Sequence, residues 1–257
     1  FVVNMPRIAV FDSGFGSLSI IKPIQKMTKS ELIYFADQKN FPYGTKSVSD
    51  LKKIIRSTIF NLEKRFSPDL IVVGSNTPSL LLKNIIKKSK IIGVFPPIKN
   101  AIKKTKSNTI AILATKSVVE SNALKNFIKK NASKKIKVIK INASLLVDLV
   151  ESGKFISDRK FCKKIIERIL LDPIMTNNVD VVMLSSTHLP FLLPILKQVF
   201  PKVTFLDPAN TIANQVAKKL KIKKSKRNSI KIFTSGNVSL FQKQLRQIGI
   251  KNMVKSL

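Results

Sequence analysis

Short runs of apolar, β-branched residues alternate along this chain with longer segments in which isoleucine and leucine recur at helical spacing among lysines. IAVF (8–11), ELIYFA (31–36), LIVVG (70–74), KIIGVF (90–95), TIAILA (109–114), KVIKIN (137–142), VVML (181–184), VTFLD (203–207) and SIKIFTS (229–235) predict strands. VSDLKKIIRSTIFNLEKRF (48–66) and RKFCKKIIERILLDPI (159–174) predict amphipathic helices. Strands that are apolar on both faces and separated by helices predict a parallel, doubly wound α/β architecture.

One segment occurs twice. DLIVVGSNTPSLLL (69–82) and DVVMLSSTHLPFLL (180–193) each open with Asp, continue through an apolar run and reach Ser75 or Ser186. A polar pair follows, Asn76-Thr77 or Thr187-His188, and then more apolar residues. The repeat predicts two similar α/β halves meeting at a ligand cleft. Both polar turns fall at the carboxyl ends of strands, where open α/β sheets bind ligands. The first half is placed at residues 5–97 plus 208–257 and the second at 98–207. The crossings are placed at Pro96 to Asn100 and Leu206 to Asn210.

Composition narrows the setting. A chain of 257 residues, 44% of them hydrophobic, can bury one large core or two small ones. No apolar run approaches the length of a membrane-spanning helix. FVVNMPRIAVF carries no secretory pattern; Met5-Pro6-Arg7 reads as a natural start, with Phe1 to Asn4 an extension. A single cysteine, Cys162, excludes an internal disulfide and a cysteine-based metal cluster, so a cytoplasmic setting is expected. Charge is lopsided: 47 Lys+Arg against 14 Asp+Glu, a formal +33. Such a field attracts polyanions, so nucleic acid is a candidate partner through non-specific charge alone. The lysines are nevertheless spread in pairs such as Lys52-Lys53, Lys87-Lys88 and Lys129-Lys130, as on solvated helix faces, and the densest run is Lys218 to Lys231. No zinc-finger spacing, zipper heptad or aromatic RNA-binding signature accompanies them. A lysine-rich composition is therefore preferred to dedicated nucleic-acid binding.

Four places can carry chemistry. At SNTP and STHLP, free N–H groups at a helix start would favour an anion. Thr77-Pro78 reads as an N-cap followed by Pro at the first helical position. A single copy would be read as capping only; two matching copies favour a pocket. In FDSGFGS (11–17), Gly14 and Gly16 permit a tight turn or close approach, but the spacing is not that of a dinucleotide site. Asp12 there is a general base, an ammonium partner or merely a helix cap. ADQKNFPYGTKS (36–47) carries a turn at Pro42-Tyr43-Gly44-Thr45. Finally, His188 is the only histidine; it is an acid/base group or an imidazole packed at a helix start, and a poor metal ligand without companions. Glu151 is one of few acids, and its plain reading is a surface carboxylate.

Taken together, IAVFDSGFGS, YFADQKNFPYGTKS, VVGSNTPS, IAILAT, LVESG, SSTHLP, LDPAN and FTSGN resemble the cofactor-independent glutamate racemases of the aspartate/glutamate racemase superfamily. The landmarks occur in the family's order from Ile8 to Asn237. The resemblance implies two pseudo-symmetric halves, no cofactor and no metal. It also implies a small acidic amino acid bound by Asp12, Ser13, Pro42, Tyr43, Gly44, Asn76, Thr77, Thr187 and His188. Asp12 matches an auxiliary acid on one side, Glu151 and His188 on the other. A homodimer is left open. The departure lies at the catalytic pair: the family has a cysteine in each repeated turn, and here both positions are serine, Ser75 and Ser186. Gly74 and Pro78 also stand where the family commonly has alanine. Four readings follow: an isomerase working through the two serines, a binding protein without racemisation, a basic structural or nucleic-acid-associated protein, and related carbon-acid chemistry such as decarboxylation or hydrolysis.

Overall fold

In a computed structural model, residues 5–86, 89–220 and 228–257 are described. The extension Phe1 to Asn4, the pair Lys87-Lys88 and residues 221–227 of the densest basic run lie outside the described residues. The strands are β1 (Arg7–Asp12), β2 (Glu31–Ala36), β3 (Leu70–Val73), β4 (Ile91–Gly93), β5 (Thr109–Ala114), β6 (Lys137–Asn142), β7 (Val181–Leu184), β8 (Thr204–Leu206), β9 (Ser229–Thr234) and β10 (Val254–Ser256). They form two sheets, ordered β10-β9-β2-β1-β3-β4 and β6-β5-β7-β8. Every pairing described is parallel. The α/β class read from the apolar runs is therefore the fold. Among the described residues no helix is long and apolar enough to cross a membrane.

The chain divides into two compact units, Phe1–Val94 with Ala209–Leu257, and Phe95–Pro208. Within the first unit the order β2-β1-β3-β4 matches β6-β5-β7-β8 in the second. In each, the chain steps one way after the first strand and the other way after the third, so the winding reverses beside β1 and β3, and beside β5 and β7. β1, β3, β5 and β7 are buried along their apolar lengths, which is why they read as uninterrupted runs.

The connecting helices follow their sequence signals. Val48–Phe66 is capped by Ser47, whose Oγ accepts from Asp50 N (3.1 Å), and it buries Leu51, Ile55, Ile59 and Leu62 at four- and three-residue spacing. Arg159–Met175 is capped by Asp158 and buries Cys162, Ile166, Leu170 and Ile174. β10 escaped the sequence reading. It has three residues, of which only Val254 is buried, and it is held by β9 and by Gln242 Oε1 accepting from Val254 N (2.8 Å). KIIGVF also overshoots, since only Ile91–Gly93 pairs.

The aspartate that opens each repeated segment has a structural task. Asp69 Oδ2 accepts from the backbone N of Arg7 at the start of β1 (2.8 Å). Asp180 accepts from Thr105 Oγ1 (2.6 Å) and from the N of Lys106 (2.6 Å) and Ser107 (2.9 Å), just before β5. Burial works against the charge on Asp180, but these hydrogen bonds outweigh it and hold the carboxyl below its usual range.

Candidate functional site

In the first unit, Phe11 pairs with Val73, and Gly74 N donates to Phe11 O (2.7 Å). Ser75 follows in extended conformation, φ −125° and ψ 134°, and becomes the N-cap of the helix Asn76–Leu81. This corrects the reading of Thr77 as cap with Pro78 first. Pro78 is the third helical residue, tolerated because N–H groups of the first turn lack helical partners anyway. Ser75 makes no side-chain cap bond. Ser79 Oγ instead donates to Ser75 O (2.7 Å) and accepts from Val94 N (2.9 Å), tying the turn to the chain beyond β4. Asn76 and Thr77 are buried.

The turn rests on FDSGFGS. A Cβ added at Gly74 would lie 2.3 Å from Ser17 Cβ, so Gly74 is glycine because the two segments touch there. Ser17 Oγ donates to Tyr34 OH (3.3 Å), which donates to Gly14 O (2.8 Å). Neither Asp12 nor Ser13 caps the next helix, which starts at Leu18 behind Ser17. Asp12 instead ends β1, 1% exposed, with Oδ1 accepting from Ser13 N (2.7 Å).

Asp37, one residue past β2, organises the next turn and was not singled out in the sequence. It is 3% exposed and accepts from Tyr43 OH (3.0 Å), Asn40 Nδ2 (2.9 Å) and Ser235 Oγ (3.1 Å), while its N donates to Asp12 O (2.7 Å). Its signal was available: an acid in an acid-poor chain, placed directly after a strand. Tyr43 is buried within a one-turn helix, with Pro42 and Gly44 half-buried on either side. Burial first, then the Asp37 and Asp12 carboxylates, push the Tyr43 hydroxyl well above its usual range, so it stays a donor. The aligned pairs Asp12–Ala36 and Ala36–Thr234 thus set Asp12, Asp37 and Ser235 in a row of neighbouring strand ends.

The second unit repeats the backbone arrangement with different side chains. Leu113 pairs with Leu184, and Ser185 N donates to Leu113 O (2.9 Å), as Gly74 does to Phe11. Ser186 therefore stands two residues beyond its strand, as Ser75 does. Its Oγ accepts from His188 N (3.4 Å). Leu189–Leu192 then forms a 3-10 turn, so this segment, unlike its counterpart, does not lead straight into an α-helix and has less of a helix dipole to favour an anion. Ser186, Thr187 and His188 are buried. His188 Nε2 lies 2.9 Å from Glu151 Oε2 at the end of the helix Ser144–Glu151. Glu151 is not a plain surface carboxylate: its side chain is largely buried and paired with the imidazole. Asp148, one turn earlier, has its carboxyl raised by partial burial and by Glu151, against the pull of His188.

Cys162 belongs to neither turn. It is buried on the Arg159–Met175 helix, and burial foremost pushes its thiol up. Among the described residues no group of three or more His, Cys, Asp or Glu is placed to hold a metal.

No family model matches the chain. It is 31% identical over 245 residues to the glutamate racemase of Buchnera aphidicola subsp. Schizaphis graminum, covering 93% of this chain and 92% of the relative. The solved structure of glutamate racemase isoform RacE1 from Bacillus anthracis is similar at TM-score 0.86 and 25% identity, over 98% of this chain and 97% of that one. That of Escherichia coli glutamate racemase, in complex with L-glutamate and the activator UDP-MurNAc-Ala, is similar at 0.85 and 25%, over 98% of each.

Proposed function

The chain belongs to the glutamate racemase family, and from that premise we propose that it binds a small acidic amino acid, glutamate or aspartate, but has little power to racemise it. The reading rests on one observation: the same backbone position in each unit, two residues beyond β3 and β7, carries a serine hydroxyl, followed by buried polar residues. Ser75 and Ser186 stand where the family motif has cysteine. In that chemistry one thiolate removes the α-proton and the opposite thiol returns one. A cysteine thiol titrates near ~8.5 and proteins lower it further. A serine hydroxyl is a far weaker acid, and each pKa unit costs about 1.4 kcal/mol in forming the anion.

Asp12, at the end of the strand that pairs with β3, and the His188–Glu151 pair, with His188 N bonded to Ser186 Oγ, are the groups that could accept a proton from these hydroxyls. A relayed alkoxide remains a poorer base for a carbon acid than a thiolate. Binding does not need the thiol. Within the first unit, Asn76, Thr77, the Tyr43 turn and Ser13 offer donors suited to a carboxylate, and Asp12 an acceptor suited to an ammonium group; within the second, Thr187 offers a hydroxyl. No cofactor enters this scheme. The L-glutamate held by the Escherichia coli relative supports the ligand class.

Two measurements separate binding from turnover. Calorimetric titration with L-glutamate, D-glutamate and L-aspartate is expected to show saturable binding of at least one. Proton NMR in D₂O is expected to show negligible α-exchange with the native protein. Exchange should rise about 100-fold or more in Ser75→Cys/Ser186→Cys. Absence of binding by all three ligands sinks the binding claim. Native exchange as fast as that of the double variant sinks the claim of lost turnover.

A further inference from the structure

In the second unit the helix Arg159–Met175 is apolar on two opposite faces. Cys162, Ile166, Leu170 and Ile174 are buried at four-residue spacing. At about 100° per residue, Phe161, Lys164, Arg168, Leu171 and Met175 fall within about 80° of one another on the other side. All five are exposed, and the apolar three keep much of their surface in water: Phe161 37%, Leu171 51% and Met175 66%. The stripe runs for about 21 Å, apolar at both ends and cationic between them. Lys154 Nζ lies 4.4 Å from the Phe161 ring centroid and adds a third cation at one end. Ile156, on the same short helix Lys154–Ser157, is 41% exposed. Among the described residues neither Lys164 nor Arg168 forms an ion pair. The acids on the rims are Glu167, which pairs with Lys163 (3.9 Å), and Asp172. None of the residues assigned to the amino-acid site lies on this stripe.

We propose that the stripe is a docking face for the surface of an anionic lipid bilayer, on which the helix lies without crossing it. The opposite side of the helix already serves the core, so Phe161, Leu171 and Met175 gain nothing from folding by standing in water. They gain by sinking into the boundary between headgroups and acyl chains. Lys and Arg carry long apolar stems, so Lys164 and Arg168 keep their charges among headgroup phosphates while the two ends sink. Charge decides between occupants. A two-fold contact with a second copy, centred on the stripe, sets Lys164 and Arg168 against their own copies. A nucleic acid would take the cations and leave the apolar side chains in water. A folded acidic partner needs a register, and the five residues include no Ser, Thr, Asn or Gln to set one. A fluid anionic surface needs none and meets both kinds of side chain. This face does not rest on the amino-acid reading above.

Vesicles of phosphatidylcholine, alone or with about 30 mol% phosphatidylglycerol, are sedimented with the full chain at about 150 mM NaCl to screen the general charge. The decisive variant is Phe161→Ser/Leu171→Ser/Met175→Ser, which leaves the net charge unchanged. Its control is Phe60→Ser/Leu240→Ser/Met253→Ser, three apolar side chains exposed in the first unit. Partition onto the anionic vesicles is expected to fall about tenfold or more in the first variant and less than twofold in the control. Lys164→Ser/Arg168→Ser is expected to lose about tenfold more than Lys129→Ser/Lys130→Ser, which removes equal charge from another helix of the same unit. Circular dichroism and melting check that each variant folds; if the first triple variant does not, Leu171→Ser and Met175→Ser singly, each expected to lose about threefold, take its place. No binding to the anionic vesicles, equal binding to the neutral ones, or equal losses in variant and control overturn the proposal. So does sedimentation equilibrium without lipid in which the native protein is a dimer and the first variant a monomer, because the face would then belong to a second copy.

Discussion

A methyl group on residue 74 would meet Ser17 Cβ at 2.3 Å and Phe11 O at 3.0 Å, and neither neighbour is a flexible chain end. Gly74→Ala is therefore expected to cost about 1–3 kcal/mol, read as a fall in melting temperature. Ser17→Gly in the same chain should recover most of that loss. Additive losses in the double variant would show that the two side chains do not compete for one space. The pair matters for the repeated turn, because a shift at residue 74 moves Ser75 with it. How far the site could be read from sequence differs residue by residue. The equivalent backbone positions of Ser75 and Ser186, each two residues past its strand, were legible because their segments repeat. Asp37 was not, since nothing local says that a loop acid will gather Tyr43, Asn40 and Ser235, the last of them 198 residues away. The partnership of His188 with Glu151 spans 37 residues and is likewise made by the fold. Thr77 as a cap was misplaced by two residues because Ser75, Thr77 and Ser79 all have capping chemistry and only packing chooses among them.

Glu31 works on three strands at once. It starts β2, accepts from Arg7 Nε of β1 (2.8 Å) and holds Lys231 Nζ of β9 (2.6 Å). The Lys231 hydrogen bond most of all, then Arg7, outweigh its burial and hold its carboxyl below the usual range. The sign follows: the lowered folded value contributes stability that is fully present above the ordinary glutamate value, about 4.3, and is lost as pH falls through the folded value. Glu31→Gln should be less stable than the native protein by about 1–2 kcal/mol near neutrality, and the gap should close in urea melts below pH 4. A gap that persists in acid would assign the loss to packing. The two repeat aspartates allow a sharper comparison. Asp180→Ala removes the acceptor of three close donors and should cost about 2–3 kcal/mol; Asp69→Ala removes one exposed bond and should cost about 1 or less. Equal losses would deny the difference in their surroundings. At this scale the sequence was most informative about parallel strands buried on both faces, such as β5. It was silent on β10, whose single buried residue leaves no run to detect.

Across the molecule, a formal charge of +33 repels itself in the folded state. Raising NaCl from about 20 to 300 mM should therefore raise the melting temperature, since screening acts within about 10 Å at 0.1 M. A flat or falling curve would mean that the lysines lie too far apart to matter. The division into units has an effect of another kind. The second unit is one unbroken stretch, but the first is completed only when β9 arrives beside β2, nearly 200 residues after β2 itself. A chain emerging from the ribosome thus has every strand of its second sheet in hand while β2 still presents a bare row of N–H and C=O groups. That edge invites stray pairing with other nascent chains. Until β9 is made, Lys29 just before β2 and Glu31 at its first position are the local charges that discourage such pairing.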